Sequence, residues 1–569
     1  MKTPFFLKNL YSVILNQLYE IDASTNAKLD FVLNVTSDRA AHGDVSSNAA
    51  LMIARTQGKA PRIIAQEIIA ALEKAHTTEA KSFMSFVQNV EIAGPGFLNF
   101  RLTHHCWLFL TQALLADPEA FFVDPTQKKE KVLIEFVSAN PTGPLHLGHG
   151  RGGIIGDVLA RVGRFLGHEI NTEFYINDAG SQISRLGESL RARVAQHCGI
   201  DEQLPENGYA GAYLVAIAEK MATEQGRQIL EQPISFFTKT AQDQLLTIIK
   251  KNLSDYRITF DRWFSERSLH ESGAIKEAIQ ILENKELVYE QEGALFFRAT
   301  AFGDDKDRVI QKSDGELTYI AADIAYHKNK FDRGYTQLID ILGQDHHGYV
   351  MRLKATMQAL GYDVEKLDVI LYQLVSIKKG EQLLKMSKRA GNFEQLGDII
   401  ELVGADVARF FYLNRKADAH LDFDLDVALK QTDENPVFYI HYAYVRTNSI
   451  LKRSLEHPEL ATLYKTCIDD AEKLNQILGI WKTDETIVLK KIWSLHTILT
   501  TLFETKQTHI LAYYTLELAQ AFHHYYAQNH IITQTEIERS ASRLVLVQLV
   551  RSTLSLCLDL LGLSKPEAM

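Results

Sequence analysis

Two histidines stand just past a Pro/Gly-rich break in the stretch from Glu135 to Asp157, EFVSANPTGPLHLGHGRGGIIGD. Imidazoles at the start of a helix can hold an anion, because first-turn N–H groups lack intrahelical acceptors and the positive end of the dipole lies there. The flanking pattern argues for that placement. Val132, Leu133, Ile134, Phe136 and Val137 form the near-continuous apolar run of a strand covered on both faces. Asn140-Pro141-Thr142-Gly143-Pro144 breaks it, and Ile154, Ile155, Val158, Leu159, Val162 and Leu166 then recur at helical spacing. His146 and His149 thus fall between strand and helix, where open α/β sheets bind ligands. Gly148, Gly150, Gly152 and Gly153 each cost the helix about 1 kcal/mol relative to alanine. Close approach of a flat ligand to bare backbone is a candidate offset. A flexible loop with two solvated histidines fits the same residues.

Other groups with chemical potential lie far downstream. Lys385-Met386-Ser387-Lys388-Arg389-Ala390-Gly391-Asn392 is a cationic loop suited to a polyphosphate, although basic loops are usually only solvated. Glu135 is a lone charge in an apolar strand. Burying it unpaired is costly, so it needs a cation or a hydrogen-bond partner, and its place near the strand's carboxyl end makes a substrate cation a candidate. Tyr319 and Asp323 are four apart in a helical pattern from Thr318 to Lys330 and share a face there. Gly343-Gln344-Asp345-His346-His347-Gly348 ends the short strand pattern Leu338–Leu342; helix-entry hydrogen bonding accounts for its histidines without a metal. Phe260 to Glu266 mixes aromatics with acids and fits either packing or a site.

The elements that must position these groups fall into an α/β order. A second strand, about Ile170 to Ile176, follows the glycine-rich helix, giving a parallel pair with a right-handed crossover. Helical patterns from about Ser181 to Leu253 read as an insertion, and Val369 to Val375 as a further strand. Before all this, Leu51 to Leu72 is helical with a break at Pro61, and Val90 to Phe100 reads strand, turn, strand. Phe97 and Asn99 could share one face of that second strand, offering an aromatic and an amide to an unpaired base; core packing and a turn role are the plainer reading. From about Ala419 the pattern is helical, rich in tyrosine, histidine and arginine, and suited either to RNA or to a tyrosine-rich core.

Composition narrows the class. With 569 residues and 46% hydrophobic content, the chain has material for three or four domains. A net charge of −10 argues against non-specific nucleic-acid coating, though not against a specific RNA. The four cysteines are far apart, with no zinc spacing and no disulfide framework, which fits a reduced, cytoplasmic compartment. Leu544 to Leu563 is interrupted by Arg551 and Asp559 and reads as a buried helix, not a membrane span. No secretory leader pattern opens the sequence.

Taken together and in order, these signals resemble the class I aminoacyl-tRNA synthetases, through HLGH after a first strand and KMSK much later. The segments IEFVSANPTGPLHLGHGRGG, YINDAGSQI, FSERSLHESG, GDDKDRV, ADIAYH, GQDHHGY, KMSKRAGN, AGPGFLNFRL, NPVFYIHYAYVR and the terminal LGLSKPEAM are similar to arginyl-tRNA synthetases, so the resemblance covers essentially the whole chain. It implies an α/β fold with three parts. These are a small N-terminal α/β domain (1–120) on the tRNA elbow, a Rossmann-like parallel-sheet catalytic domain (121–418) with a helical insertion (about 181–300), and a C-terminal all-α anticodon-binding bundle (419–569).

The resemblance also implies a reaction and its residues. Arginine's carboxylate would attack the α-phosphate of ATP, and a terminal ribose hydroxyl of tRNA(Arg) would take the arginyl group. His146 and His149 would stabilise the phosphates, and Gly148 would admit adenine. Lys385 and Lys388, with Met386 and Ser387, would hold ATP and the leaving pyrophosphate. Asp323 and Tyr319 would bind the guanidinium and Asn140 and Gln344 the amino-acid head, with Glu135 and Glu266 in the same pocket. Phe97 and Asn99 would read a D-loop base. ATP would come with Mg2+, no structural metal is expected, and the family is usually monomeric and cytoplasmic. It further implies that ATP–pyrophosphate exchange requires tRNA. A small-molecule nucleotidyltransferase and a non-catalytic RNA-binding paralogue are the alternatives. The first would not need the helical C-terminal third; the intact histidines and lysines argue against the second.

Overall fold

A computed structural model describes residues 5–19, 29, 31–35, 42–74, 77–380, 382–384 and 395–569. Its organising element is a five-stranded parallel sheet. Strands β1 to β4 (Phe31–Leu33, Val45–Ser47, Val87–Ala93 and Phe97–Leu102) form a separate antiparallel sheet of order β1-β2-β4-β3 near the N-terminus. The helices Ala49–Gln57 and Pro61–Lys74 cover it, with the break before Pro61 that a residue lacking a backbone N–H favours at a helix start.

The central sheet begins with β5 (Lys131–Phe136), buried along nearly its full length. Helix α1 (Leu147–Phe165) crosses over it to β6 (Glu169–Ile176). The chain then leaves for the helices α2 (Ser181–His197), α3 (Ala212–Gln225) and α4 (Ile234–Asp255), which enclose an apolar cluster of their own. It returns as β7 (Arg262–Ser265), which pairs in parallel with β6. The stretch expected as one insertion to about residue 300 is therefore two: α2–α4, and a small antiparallel sheet of β8 (Val288–Gln291), β9 (Ala294–Phe297) and β10 (Arg308–Gln311). Helix α5 (Tyr319–Asp332) leads back to β11 (Gln337–Gly343), and helix α6 (His347–Leu360) to β12 (Leu367–Tyr372). The order β12-β11-β5-β6-β7 places the topological switch between β11 and β5, so a crevice opens there at the carboxyl ends.

Two boundaries differ from the pattern reading. The strand expected from Val369 to Val375 stops at Tyr372, and β13 (Val375–Lys379) starts a fourth sheet with β14 (Gln382–Leu384) and β15 (Leu421–Asp424). Residues 421–424 therefore belong to a strand, inside the region expected to be helical from 419. Helix α7 (Leu396–Tyr412) lies between. The helical bundle proper runs from α8 (Pro436–Ser454) to α9 (Ile537–Leu561), whose apolar residues are largely buried among its neighbours.

Candidate active site

The sheet's switch point carries an unusual row of acids. Asp340 on β11, Glu135 on β5 and Glu173 on β6 are register partners in parallel strands, so their side chains share one face, and all three are buried. Like charges side by side across strands are destabilising and need counter-charges. Helix α5 and its C-cap supply them. Lys330 Nζ donates to Glu135 and, at 2.7 Å, to Asp340 Oδ1. Arg333 grips Glu173 with two bonds of 2.6 and 2.8 Å, and Tyr326 Oη donates to the same carboxylate at 2.8 Å. His327 meets Asp340 Oδ2 at 2.9 Å through Nε2, while its Nδ1 lies 2.9 Å from the Asp323 carbonyl. Glu135, His327 and Asp340 bring ligand atoms within 4.8 Å of one another, as metal ligands would, but the ammonium of Lys330 is bonded to both carboxylates.

Glu135 is held from its other side as well. After β5 the backbone turns through Val137 (φ 70°) and Ser138 (φ 41°), a left-handed conformation unfavourable for a β-branched residue. That turn aims Ser138 Oγ at Glu135 Oε1, 2.8 Å away, and Ser138 Oγ accepts from the Tyr175 N–H at 3.1 Å. The cation that Glu135 requires is thus supplied by the chain itself, where the sequence pointed to substrate.

Above this row lies a cavity of about 420 Å³. Glu135, Asn140, Glu266, Tyr319 and Asp323 all line it. Gln344 does not; it begins the short turn after β11, beside the cavity. Tyr319 stands on the rim and is 57% exposed. The Asn140 amide donates to Gln182 Oε1 at 3.2 Å, tying the pocket to α2. Burial raises the Asp323 carboxyl to about 6, against stabilisation from His327 and a hydrogen bond from Tyr349. Burial likewise raises Glu266, against stabilisation from nearby Tyr175 and from His270, whose Nε2 lies 3.5 Å from Glu266 Oε1. Among the described residues, no lysine or arginine pairs with either carboxylate. The cavity therefore holds acids still open to a cationic ligand, beside others already neutralised. The row Asp340–Glu135–Glu173 was only one-third read from sequence. The signal was present three times, as an acid among apolar neighbours: Glu135 in LIEF, Glu173 in EFYI and Asp340 in LIDIL.

The two motif histidines cap α1. His146 Nδ1 accepts from the Gly148 N–H at 3.1 Å, and His149 Nδ1 accepts from the His146 N–H at 3.1 Å. Accepting at Nδ1 fixes both neutral rings as Nε2–H tautomers. The rings stack with centroids 3.6 Å apart. Burial lowers His146, and burial with the neighbouring His146 lowers His149 to about 3. At neutral pH the pair offers two neutral N–H donors at a helix N-terminus.

The glycines after them do a different job from the one expected. A Cβ on Gly150 would lie 2.5 Å from Leu396 Cδ1, on Gly152 2.6 Å from Tyr372 Cε1, and on Gly156 2.3 Å from the Phe136 ring. A Cβ on Gly153 would come within 3.2 Å of both Ile258 and Val137. These glycines let α1 pack against protein, not ligand. Gly148 differs, because its added Cβ would meet the His146 ring itself. Gln395 pairs with His146 as an isolated bridge, and the Leu396 N–H donates to the Leu145 carbonyl at 2.8 Å, so the start of α7 adjoins the first motif. Lys385, Met386, Ser387 and Lys388 lie outside the described residues.

A second cavity, about 390 Å³, lies in the N-terminal domain, and Phe97 and Asn99 both line it. They alternate on β4 with Leu98 and Phe100, which are buried. Phe97 is 41% exposed, whereas Asn99 is buried and its Oδ1 accepts from Ser46 Oγ at 2.8 Å.

Comparison with known proteins decides the family. The model described as tRNA synthetases class I (R), catalytic domain, matches residues 110–415. The arginyl tRNA synthetase N terminal domain matches 8–102, and the DALR anticodon binding domain 440–569. An arginine–tRNA ligase of Geobacillus kaustophilus is 41% identical over 551 residues, covering 96% of each chain. The chain belongs to the arginyl-tRNA synthetases. Another such ligase, from Desulforamulus reducens, is 42% identical over 93% of this chain and 92% of its own. The solved Thermus thermophilus arginyl-tRNA synthetase shares the fold, with a TM-score of 0.71 over 99% of both chains at 21% identity. This synthetase is thus a class I arginine–tRNA ligase with a parallel-sheet catalytic domain and a helical DALR domain.

Proposed function

We propose that the 420 Å³ cavity at the β5–β11 switch point is the arginine pocket, and that activation takes place between it and the α1 N-terminus. The observation carrying this reading is that Asp323 and Glu266 face the cavity without a lysine or arginine partner among the described residues, whereas Glu135 has Lys330. A guanidinium is a planar fork that carboxylates meet in bidentate geometry. Asp323 takes it, with Tyr319 at the rim and Glu266 across the cavity. Asn140, with Gln344 beside the cavity, orients the amino-acid head. A pocket built for the fork rejects lysine, which would leave acceptors unpaired.

MgATP is the second substrate. Adenylate formation demands positioning and charge stabilisation more than covalent help. The Nε2–H donors of His146 and His149 face the phosphates, with the first-turn amides of α1 adding to the field. Gly148 keeps side-chain bulk from between histidines and nucleotide. Lys385 and Lys388, with Met386 and Ser387, bind ATP and draw off pyrophosphate. The arginyl group then passes to the 3′-terminal ribose of tRNA(Arg). Phe97 and Asn99 stack on and hydrogen-bond an unpaired base at the tRNA elbow, while the bundle reads the anticodon. The enzyme acts as a cytoplasmic monomer, with 1–120, 121–418 and 419–569 as its functional divisions.

The test is tRNA charging by each amino acid with MgATP. Arginine is expected to be charged far above all others, and preference for another amino acid would overturn the pocket.

A further inference from the structure

We infer that Lys330 is a positioning residue for arginine: its ammonium, locked between Asp340 and Glu135, fixes the carboxylate that forms the pocket wall. This rests on the reading of the cavity as the arginine pocket. Lys330 is fully buried, in the last turn of the helix that presents Asp323 to the cavity. Burial opposes its charge, yet Asp340 and Glu135 together hold it above the usual lysine range. Its Nζ also sits 4.5 Å from the centre of the Tyr326 ring.

The geometry gives Lys330 more than a neutralising role. Asp340 is tied twice, by Lys330 and His327, and so is fixed without help from Glu135. Glu135 has Ser138 on Oε1 and Lys330 on Oε2. With both oxygens engaged, the carboxylate cannot rotate, and it presents one set edge to the cavity. Removing the ammonium leaves two register-paired acids facing each other across adjacent strands. Glu135 then either turns away or takes up a cation of its own, and the substrate's ammonium or guanidinium is the cation at hand. Arginine would be drawn out of register with the α-phosphate. A misplacement of about 1 Å can cost about a hundredfold in rate. Lys330 thus keeps the substrate's cationic groups for the carboxylates that have none.

The experiment compares Lys330→Met, Lys330→Ala and the double variant Lys330→Met/Asp340→Asn in tRNA-dependent ATP–pyrophosphate exchange, with Asp323→Ala alongside. The double variant removes one of the two carboxylates that Lys330→Met leaves facing each other, so that a folded protein is available. Folding is followed by thermal melting. Lys330→Met, or the double variant if the single fails to fold, is expected to raise KM for arginine at least about tenfold with KM for ATP within about twofold. Ethylammonium is expected to recover part of the loss in Lys330→Ala, since it can occupy the emptied cation place. Three outcomes would each overturn the inference: full recovery of arginine KM in the double variant, equal rises for ATP and arginine, or no rise in any folded variant. If Asp323→Ala also leaves arginine KM unchanged, the pocket itself is wrong; if Asp323→Ala raises it and the Lys330 variants do not, only the role of Lys330 falls.

Discussion

Asp323 sits where desolvation and the nearby carboxylates of Glu266 and Glu135 oppose its ionisation, and its carboxyl titrates near 6. The charged form is the one that pairs with a guanidinium. As pH falls through about 6, the carboxyl takes a proton and arginine loses its proposed partner, so kcat/KM for arginine should show an acid limb there. The linkage to stability has the opposite sign in the free enzyme. A raised folded-state pKa gives a contribution fully present below the unfolded value and lost as pH rises through about 6. Arginine restores it by pairing, so the thermal shift caused by arginine should be larger near pH 7.5 than near pH 5. Asp323→Asn should lower kcat/KM for arginine about a hundredfold and abolish the acid limb, leaving KM for ATP within about twofold. A limb that persists in the variant belongs to another group. Residue chemistry of this kind was half legible in the sequence. A lone acid in an apolar strand announces that Glu135 has a partner, but the partner, 195 residues later, is chosen by which helix crosses which strand.

That choice is made by elements. The strand–helix–strand unit, the turn before β4 and the buried C-terminal helix were legible because each carries its own periodicity and punctuation. Strands β7 and β15, four residues each, were not, since so short a run has no measurable alternation and is recruited by pairing with neighbours. The glycines of α1 were visible but misread, because sequence shows that side chains are missing and not what fills the space. Gly156→Ala tests the corrected account. Helix propensity alone would stabilise the variant by about 1 kcal/mol. The new Cβ, however, would lie 2.3 Å from the Phe136 ring, which is buried on β5 and has nowhere to go. Overpacking costs about 1–3 kcal/mol or more, so the variant should lose stability despite the better helix former. A fall in melting temperature of a few degrees for the catalytic domain is the expected reading. A rise would mean that α1 has room against the sheet.

Across the whole molecule, the N-terminal domain and the bundle are joined by contacts that have no counterpart in any motif. Lys490, buried in the bundle, pairs with Asp44 Oδ1, while Asp44 Oδ2 accepts from the Leu102 N–H at 2.8 Å. The Asp44 N–H donates to the Phe100 carbonyl at 2.7 Å, so one carboxylate pins β2 to β4 and both to the bundle. Trp107 and Trp493 meet edge to face nearby, with centroids 6.0 Å apart, and His104 contacts Asn475 at 3.0 Å. Strand β4 carries Phe97 and Asn99, so this seam sets how far the proposed elbow cavity lies from the anticodon-reading surface. A tRNA is a stiff ligand, and two sites that read it together gain affinity only if their separation is held. Lys490→Met keeps the stem's packing but leaves a mostly buried carboxylate without its cation, which strains the seam and not the pocket. The expected outcome is a rise in KM for tRNA of about three- to tenfold in aminoacylation, with KM for arginine and ATP unchanged. Phe97→Ala in the Lys490→Met background should then cost less than it does in the wild type, because the cavity no longer meets the elbow in register. Strictly additive losses would mean that the two domains bind tRNA independently and that the seam serves stability alone.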